Sequence, residues 1–138
     1  MSRPVFAPVL TALSLAAGCT KPAQPPAAPA AAPPGVTWSM IVLYNPPKDT
    51  AAFEKYYAET HLPLFAAHAQ EIGATRGELL KFAPGADGKA LPIYREADLR
   101  WDSKEARDRG IAAFQPVAAD IPKFATGGFT ILLGQKTN

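Results

Sequence analysis

An Ala/Pro-rich segment at residues 19–35 restricts any folded domain to the residues that follow it, 36–138. Eight of the fifteen prolines and ten alanines lie before Val36, and no residue from Thr20 to Gly35 is larger than Gln or Lys. Proline-rich chains favour extended polyproline II at about 3.1 Å per residue, so this segment predicts a tether. The remaining residues, about a hundred, suffice for one modest domain.

Residues 1–18 have the layout of a secretory signal peptide. Arg3 is followed by an uncharged, largely apolar stretch that ends in Leu-Ala-Ala-Gly immediately before Cys19, the only cysteine of the sequence. This ending resembles a bacterial lipoprotein lipobox, in which the cysteine is acylated. A transmembrane anchor is disfavoured by the shortness of the stretch, and a plain cleaved signal would leave an unpaired thiol in an oxidising compartment.

The resemblance to a lipobox implies lipidation at Cys19 and a location in the cell envelope. The protein would be lipid-anchored on the periplasmic face and would contact the membrane only through the acylated cysteine. Thr20, where some inner-membrane lipoproteins carry Asp, favours the outer membrane over the inner.

The distribution of charge excludes nucleic acid as a partner. Fourteen Lys and Arg against twelve Asp and Glu give a net charge of +2, but Arg3 and Lys21 supply the whole excess. The residues from Val36 onward are therefore neutral and carry no basic stripe to neutralise phosphates.

The hydrophobic pattern of residues 36–138 predicts the order βαββαβ. Such an order is typical of a ferredoxin-like α+β sandwich, a four-stranded antiparallel sheet with both helices on one face. The predicted elements are a strand from Thr37 to Tyr44, a helix from Asp49 to about Ala69, strands from Thr75 to Phe82 and from Leu91 to Trp101, a helix capped by Asp102, and a strand from Phe129 to Gln135.

The first strand is apolar on both faces, although helices would cover only one face of the sheet. Pairing two sheets face to face across a two-fold axis would cover the other. The sequence therefore predicts a homodimer, a dimeric α+β barrel with a cavity between its subunits that binds a small apolar ligand.

Pro63 lies inside the first predicted helix and predicts a kink near His61, because it lacks a backbone donor and frees the carbonyl of Glu59. In the functional interpretation, the kink aims His61 at the inter-subunit cavity as a general acid or base. In the structural interpretation, the ring binds the freed carbonyl. Tyr57, one turn earlier, is either a proton donor or a core residue.

The other polar residues predict no metal site. His68 follows His61 by seven residues and is best interpreted as solvated; this spacing is no zinc motif, and no Cys or carboxylate completes one. Arg95 and Glu78 are either interior polar groups or an interstrand ion pair, and Glu54 is typical of a solvated helix face. The sequence also lacks a glycine-rich nucleotide loop and a serine nucleophile elbow, so it identifies no cofactor.

A set of motifs across residues 36–135 resembles the EthD-like family of dimeric α+β barrels. The motifs occur in the family's order and spacing. They are Tyr56-Tyr57-x-x-x-His61-x-Pro63-Leu64, Tyr94-Arg95-x-Ala97-x-Leu99, Trp101-Asp102-Ser103 and Asp120-x-Pro122-x-Phe124.

The resemblance implies a degradative small-molecule enzyme, since family members are often described as reductases or oxidoreductases. His61 and Tyr57 would be catalytic, and the substrate-binding residues would be Tyr56, Leu64, Arg95 and Trp101. A related isomerase branch uses a cysteine on the third strand, which this chain lacks. The alternative function is a non-catalytic binding module for a hydrophobe or haem.

Overall fold

The computed structural model describes residues 36–137, in which helices pack against one face of a four-stranded antiparallel sheet. The strands are β1 (Val36–Tyr44), β2 (Arg76–Lys81), β3 (Arg95–Trp101) and β4 (Phe129–Thr137), in the order β2-β3-β1-β4. The helices are α1 (Thr50–Tyr56), α2 (Leu62–Ile72), α3 (Lys104–Ala113) and α4 (Gln115–Asp120). The predicted ferredoxin-like α+β fold is confirmed.

Several sequence predictions fall outside the described residues. The signal peptide at residues 1–18, the lipidation site Cys19 and the tether at residues 19–35 all precede Val36. Within residues 36–137, no helix has the length and apolar character needed to cross a membrane.

Strand β1 lies at the centre of the sheet and is apolar on both sides, as predicted. Met40, Val42 and Tyr44 are buried beneath the helices. Ile41 and Leu43 alternate with them and point to the opposite face, which no helix of the described chain covers; we call it the open face. On that face Ile41 lies between Asp98 and Leu132, and Leu43 lies between Glu96 and Thr130.

Helices α1 and α2 form one continuous helical segment with a distortion at the predicted place. Asp49 caps α1 by accepting a hydrogen bond from the Ala52 N–H at 2.9 Å. A π-helical turn, Tyr57–His61, joins the two helices, and the Leu62 N–H donates to the Tyr57 carbonyl five residues earlier. Pro63 then enters the first turn of α2, where its missing donor is tolerated. The turn places both Tyr57 and His61 in the interior.

The second helical region begins one residue later than predicted. Ser103, not Asp102, caps α3, because its hydroxyl accepts from the Ala106 N–H at 3.1 Å. The region divides at Phe114, one residue before α4, since Pro116 occupies the first turn of α4. A 3-10 turn, Ile121–Lys123, follows α4 and leads to β4.

Candidate active site

A cavity of about 180 Å³ lies between α2 and the helix-covered face of β2 and β3. Phe114, at the end of α3, closes one side. Eight of the eleven residues that line the cavity are apolar, and the only polar side chains among the eleven are those of Tyr44, Tyr57 and His61. The apolar set is Val42, Leu62, Phe65, Gly77, Leu79, Ala97, Leu99 and Phe114.

His61 is buried in this cavity wall and is oriented by a buried carboxylate. Its Nδ1 lies 3.0 Å from Oδ2 of Asp120, and both residues are less than 5% exposed. Phe124 packs beside the imidazole with a centroid distance of 4.7 Å. The hydrogen bond and the aromatic contact together fix the orientation of the ring.

Asp120 is the centre of a polar cluster that connects the cavity to the protein surface. Its Oδ1 accepts hydrogen bonds from the Tyr56 hydroxyl at 3.0 Å and from Nζ of Lys123 at 3.1 Å. Burial raises the pKa of Asp120, but hydrogen bonds from His61, Lys123 and Tyr56 outweigh burial and hold that pKa below its ordinary value. The carboxyl group is therefore ionised at neutral pH and accepts a hydrogen bond from Nδ1–H of His61.

The environment of His61 makes it a neutral base at physiological pH. Burial lowers its pKa below the ordinary imidazole value because the cation is poorly solvated, and Asp120 only partly offsets this effect. With Nδ1–H directed at Asp120, the proton-free nitrogen is Nε2. No group within residues 36–137 donates a hydrogen bond to Nε2. The imidazole is thus prepared to accept a proton from a molecule in the cavity.

Tyr57 lies beside His61, with its ring centroid 5.4 Å from that of the imidazole. The guanidinium carbon of Arg95 lies 4.5 Å from the centroid of the Tyr57 ring, and Glu54 holds Arg95 through a 2.7 Å ion pair. Burial raises the pKa of Tyr57, and the positive charge of Arg95 only partly reverses that rise. The hydroxyl therefore keeps its proton at neutral pH.

The location of the cavity corrects one sequence prediction. His61 and Tyr57 were predicted to face a cavity enclosed between two subunits, but both lie on the helix-covered side of the sheet. The turn of π-helix directs these side chains inward toward β1 and β3, so they face the interior of one subunit. The open face, where a second sheet would pack, lies on the other side.

The four predicted substrate-binding residues do not line the cavity. Tyr56 is directed at Asp120, and Leu64 packs against the core while its neighbours Leu62 and Phe65 reach the cavity. Arg95 pairs with Glu54 behind Tyr57. Trp101 is fully buried, and its indole N–H donates to the Ile72 carbonyl at 2.9 Å, so it is a core residue.

The structure also gives the positions of the other polar residues singled out in the sequence. His68 is partly buried, lies 3.6 Å from Glu71 and does not line the cavity. Glu54 is not simply solvated, because it accepts from Tyr94 at 2.5 Å as well as pairing with Arg95. The structural interpretation of His61 required its ring to bind the carbonyl released by Pro63. This bond is not formed, because Nδ1 is directed at Asp120.

Sequence reasoning missed Asp120 and Tyr44 as site residues. Asp120 carries the only charge between Arg109 and Lys123. A carboxylate at the C-terminal end of a helix is unfavourable unless something holds it, and this was the signal that could have found it. Tyr44 ends β1 in an apolar run, and nothing in the pattern separates it from an ordinary core residue.

The described side chains offer no evident metal site. Within residues 36–137, no group of three or more His, Cys, Asp or Glu side chains is arranged to hold a metal ion. His61 and Asp120 form a pair, and the donors that complete their surroundings are a lysine and a tyrosine.

Comparisons with known proteins identify relatives of the chain. No protein-family model matches it. It is 34% identical over 101 residues to an uncharacterized 11.0 kDa protein encoded in the thcB-thcC intergenic region of Rhodococcus erythropolis, an alignment that covers 69% of this chain and 90% of that protein.

Two solved structures share its fold. An EthD family protein from Bacillus halodurans superposes with a TM-score of 0.61 and 23% identity, covering 71% of this chain and 96% of the other. An EthD-like protein from Ralstonia eutropha gives a TM-score of 0.55 and 17% identity, covering 73% and 90% of the two chains. The chain therefore belongs to the same family as the Rhodococcus protein and has the ferredoxin-like fold of the EthD proteins, as the resemblance of its motifs predicted.

Proposed function

We propose that the protein is an enzyme that removes a proton from a small, largely apolar molecule, with His61 as the general base. The observation that carries this proposal is the His61–Asp120 pair in the wall of an apolar cavity. A carboxylate at Nδ1 selects the tautomer in which Nε2 is free, and it stabilises the imidazolium that forms when the proton arrives.

The apolar lining supports the same chemistry. A cavity with few competing water molecules strengthens the attraction between a new imidazolium and its carboxylate. Because the base is neutral before the reaction, the entry of an apolar substrate costs it little solvation free energy. The volume of about 180 Å³ is below the range of about 300–1,000 Å³ that is usual for ligand pockets, so the substrate is small.

A nitrobenzisoxazole tests for such a base without knowledge of the natural substrate. The base takes the ring C–H proton, the C–H electron pair completes a nitrile, and the N–O bond breaks to leave a coloured phenolate. We expect the purified protein to catalyse this elimination with saturation kinetics. A rate no higher than that of free imidazole at equal concentration would contradict the proposal.

The alternative function is a binding module that holds a hydrophobe without converting it. The apolar lining favours such a module as much as it favours an enzyme. The haem version has less support, because a cavity of about 180 Å³ is small for a macrocycle. Whether the natural reaction is oxidative, as the family resemblance implies, stays a prediction.

We also propose that two copies of the chain pair through their open faces. Leu80 and Leu132 are 49% and 46% exposed there, on either side of the partly buried Ile41 and Leu43. Oδ1 of Asp98 is buried on the same face and has no hydrogen-bond partner within residues 36–137. A second copy would cover the leucines and could supply a donor to that oxygen.

Light scattering at micromolar concentration tests the dimer. We expect the mass of two chains for the native protein and a monomer for Leu132→Lys, because a charge would be buried at the interface. Leu133→Lys is the matched control, since its side chain is similarly exposed but points to the helix side of β4. A native monomer, or equal masses for the two variants, would count against pairing through this face.

The anchoring predicted for residues 1–35 is likewise a proposal. We expect the protein, produced in a Gram-negative host, to incorporate radiolabelled palmitate and to partition into the detergent phase of Triton X-114. Cys19→Ala should lose both properties, because the acyl chains would have no attachment point. Label retained in Cys19→Ala would refute anchoring at this residue.

A further inference from the structure

The three polar groups of the cavity differ in what they can offer a ligand. His61 presents a proton-free nitrogen, which accepts a hydrogen bond. The hydroxyls of Tyr44 and Tyr57 keep their protons, because burial raises the pKa of both tyrosines. They are therefore donors. A ligand that satisfies all three groups must donate one hydrogen bond and accept at least one.

Tyr44 is the least explained of the three. It is 1% exposed at the end of β1, and its ring packs at 5.7–5.8 Å against Phe53, Tyr57 and Phe124. Within residues 36–137, no hydrogen bond to its hydroxyl is formed. The hydroxyl is not among the fully buried atoms that lack a partner, and Tyr44 lines the cavity, so a ligand there can pair with it, whereas Phe would offer no polar contact.

The charge behind the two tyrosines favours an acceptor oxygen that carries negative charge. Arg95 lies against the ring of Tyr57, and its positive charge lowers the pKa of both Tyr57 and Tyr44 against the effect of burial. Nε of Arg95 is buried and has no partner within the described residues, so Glu54 does not satisfy all the donors of the guanidinium. Arg95 has a larger effect on the pKa of Tyr44 than Asp120 has, and a larger effect on that of Tyr57 than Glu54 has, so the charges around both hydroxyls favour a negatively charged partner.

We propose that the cavity recognises a small phenol or enol, whose oxygen accepts hydrogen bonds from Tyr44 and Tyr57 and whose acidic proton is directed at Nε2 of His61. This assignment rests on the proposed function and names its substrate class. A phenolic hydroxyl both donates and accepts, so it pairs all three groups at once, while its ring occupies the apolar remainder of the cavity. Proton transfer moves the hydrogen to Nε2 and leaves the electron pair on the oxygen, where the two hydroxyls and Arg95 stabilise it.

The roles of the surrounding residues follow from their distances. Tyr44 and Tyr57 contact the ligand. Arg95 does not line the cavity and acts through Tyr57, so it is a positioning residue. Glu54 holds Arg95 in place at 2.7 Å.

Calorimetric titration with para-nitrophenol and para-nitrotoluene tests the assignment. The two probes have nearly the same shape, but only the first carries a hydroxyl. We expect the purified protein to bind para-nitrophenol about three- to tenfold more tightly, the ratio that one net hydrogen bond supplies. This comparison uses the native protein and does not depend on the folding of any variant.

Single substitutions show which residue provides the preference for the hydroxyl of para-nitrophenol. Tyr44→Phe should reduce the preference for para-nitrophenol, because one of its three partners is lost, and should leave para-nitrotoluene binding unchanged. Tyr94→Phe is the matched control, because its hydroxyl is bonded to Glu54 outside the cavity, and we expect it to keep the native preference.

The outcomes separate this inference from the function on which it rests. If both probes bind equally to the native protein, recognition of a hydroxyl is overturned, while a small apolar substrate is still supported. If neither probe binds, the cavity does not accept small aromatic molecules and both proposals fail. If Tyr44→Phe keeps the native preference, Tyr44 has no part in recognition and the assignment is wrong.

Discussion

Replacing His61 by Asn is expected to abolish catalysis of the nitrobenzisoxazole elimination while the protein stays folded. The Asn amide can donate to Asp120 from nearly the position of Nδ1, so the buried hydrogen bond is kept. It has no nitrogen that can accept a proton from the cavity. A positioned general base contributes about a hundred- to ten-thousand-fold, and we expect a loss in kcat of that order.

The pH dependence of the native rate gives a second measure of the same residue. The pKa of His61 is lowered chiefly by burial, so the imidazole remains a free base at pH values where an exposed histidine is already protonated. The rate should reach its half-maximum below about pH 6.5, the ordinary histidine value. A half-maximum above that value would mean that the imidazole is exposed or that another group is the base.

His68→Asn provides the matched control for His61→Asn. His68 lies seven residues later on α2, outside the cavity and near Glu71. Its replacement removes an imidazole from the same helix without touching the pair with Asp120. We expect the native rate and the native pH profile. Equal losses in the two variants would contradict a specific role for His61.

The fold was accessible from the sequence because its main determinants are local. The alternation along β1 and the cap at Asp49 each act within a few residues. Pro63 also acts locally, and the distortion that it predicts at His61 is present as a turn of π-helix. The element order then leaves few ways to pair four strands.

The candidate site was only partly accessible, because its pairs are distant along the chain. Asp120 reaches His61 across 59 residues, and Arg95 reaches Glu54 across 41. A pattern within one helix or strand contains no information on such pairs. The same limit explains why the cavity was expected on the open face. Apolar residues on both sides of β1 indicate that both faces of the sheet are packed against something, but they do not indicate on which face a cavity remains.

Replacing Asp120 by Ala is expected to be the most destabilising change in the site. It leaves two hydrogen-bond donors without their acceptor, Nδ1–H of the buried His61 and the hydroxyl of the half-buried Tyr56. The unpaired Nδ1–H of His61 costs about 1–3 kcal/mol, and the free energy of unfolding should fall by about that amount, because the Tyr56 hydroxyl can turn to water. The loss of Lys123 as a partner adds little, because that side chain is 64% exposed. Urea denaturation at neutral pH measures the change.

The pH dependence of stability should contain a contribution from each of the two groups. The pKa values of His61 and Asp120 are both lower in the folded protein than in the unfolded chain, so the unfolded chain binds more protons on acidification. The free energy of unfolding is therefore highest above about pH 6.5. It should fall as His61 is titrated below that value. It should fall again below about pH 4 as Asp120 is titrated together with the other carboxyl groups of lowered pKa, which are Glu54, Glu78, Asp87 and Asp108.

The conservative variant Asp120→Asn should change these two steps in opposite directions. It removes the carboxyl group, so the step below about pH 4 should shrink. It also removes the charge that raises the pKa of His61, so that pKa falls further and the step that begins near pH 6.5 should grow. In His61→Asn the upper step should vanish. An upper step that shrinks in Asp120→Asn would show that the carboxylate does not stabilise the imidazolium, and the basis for a proton-accepting His61 would be lost.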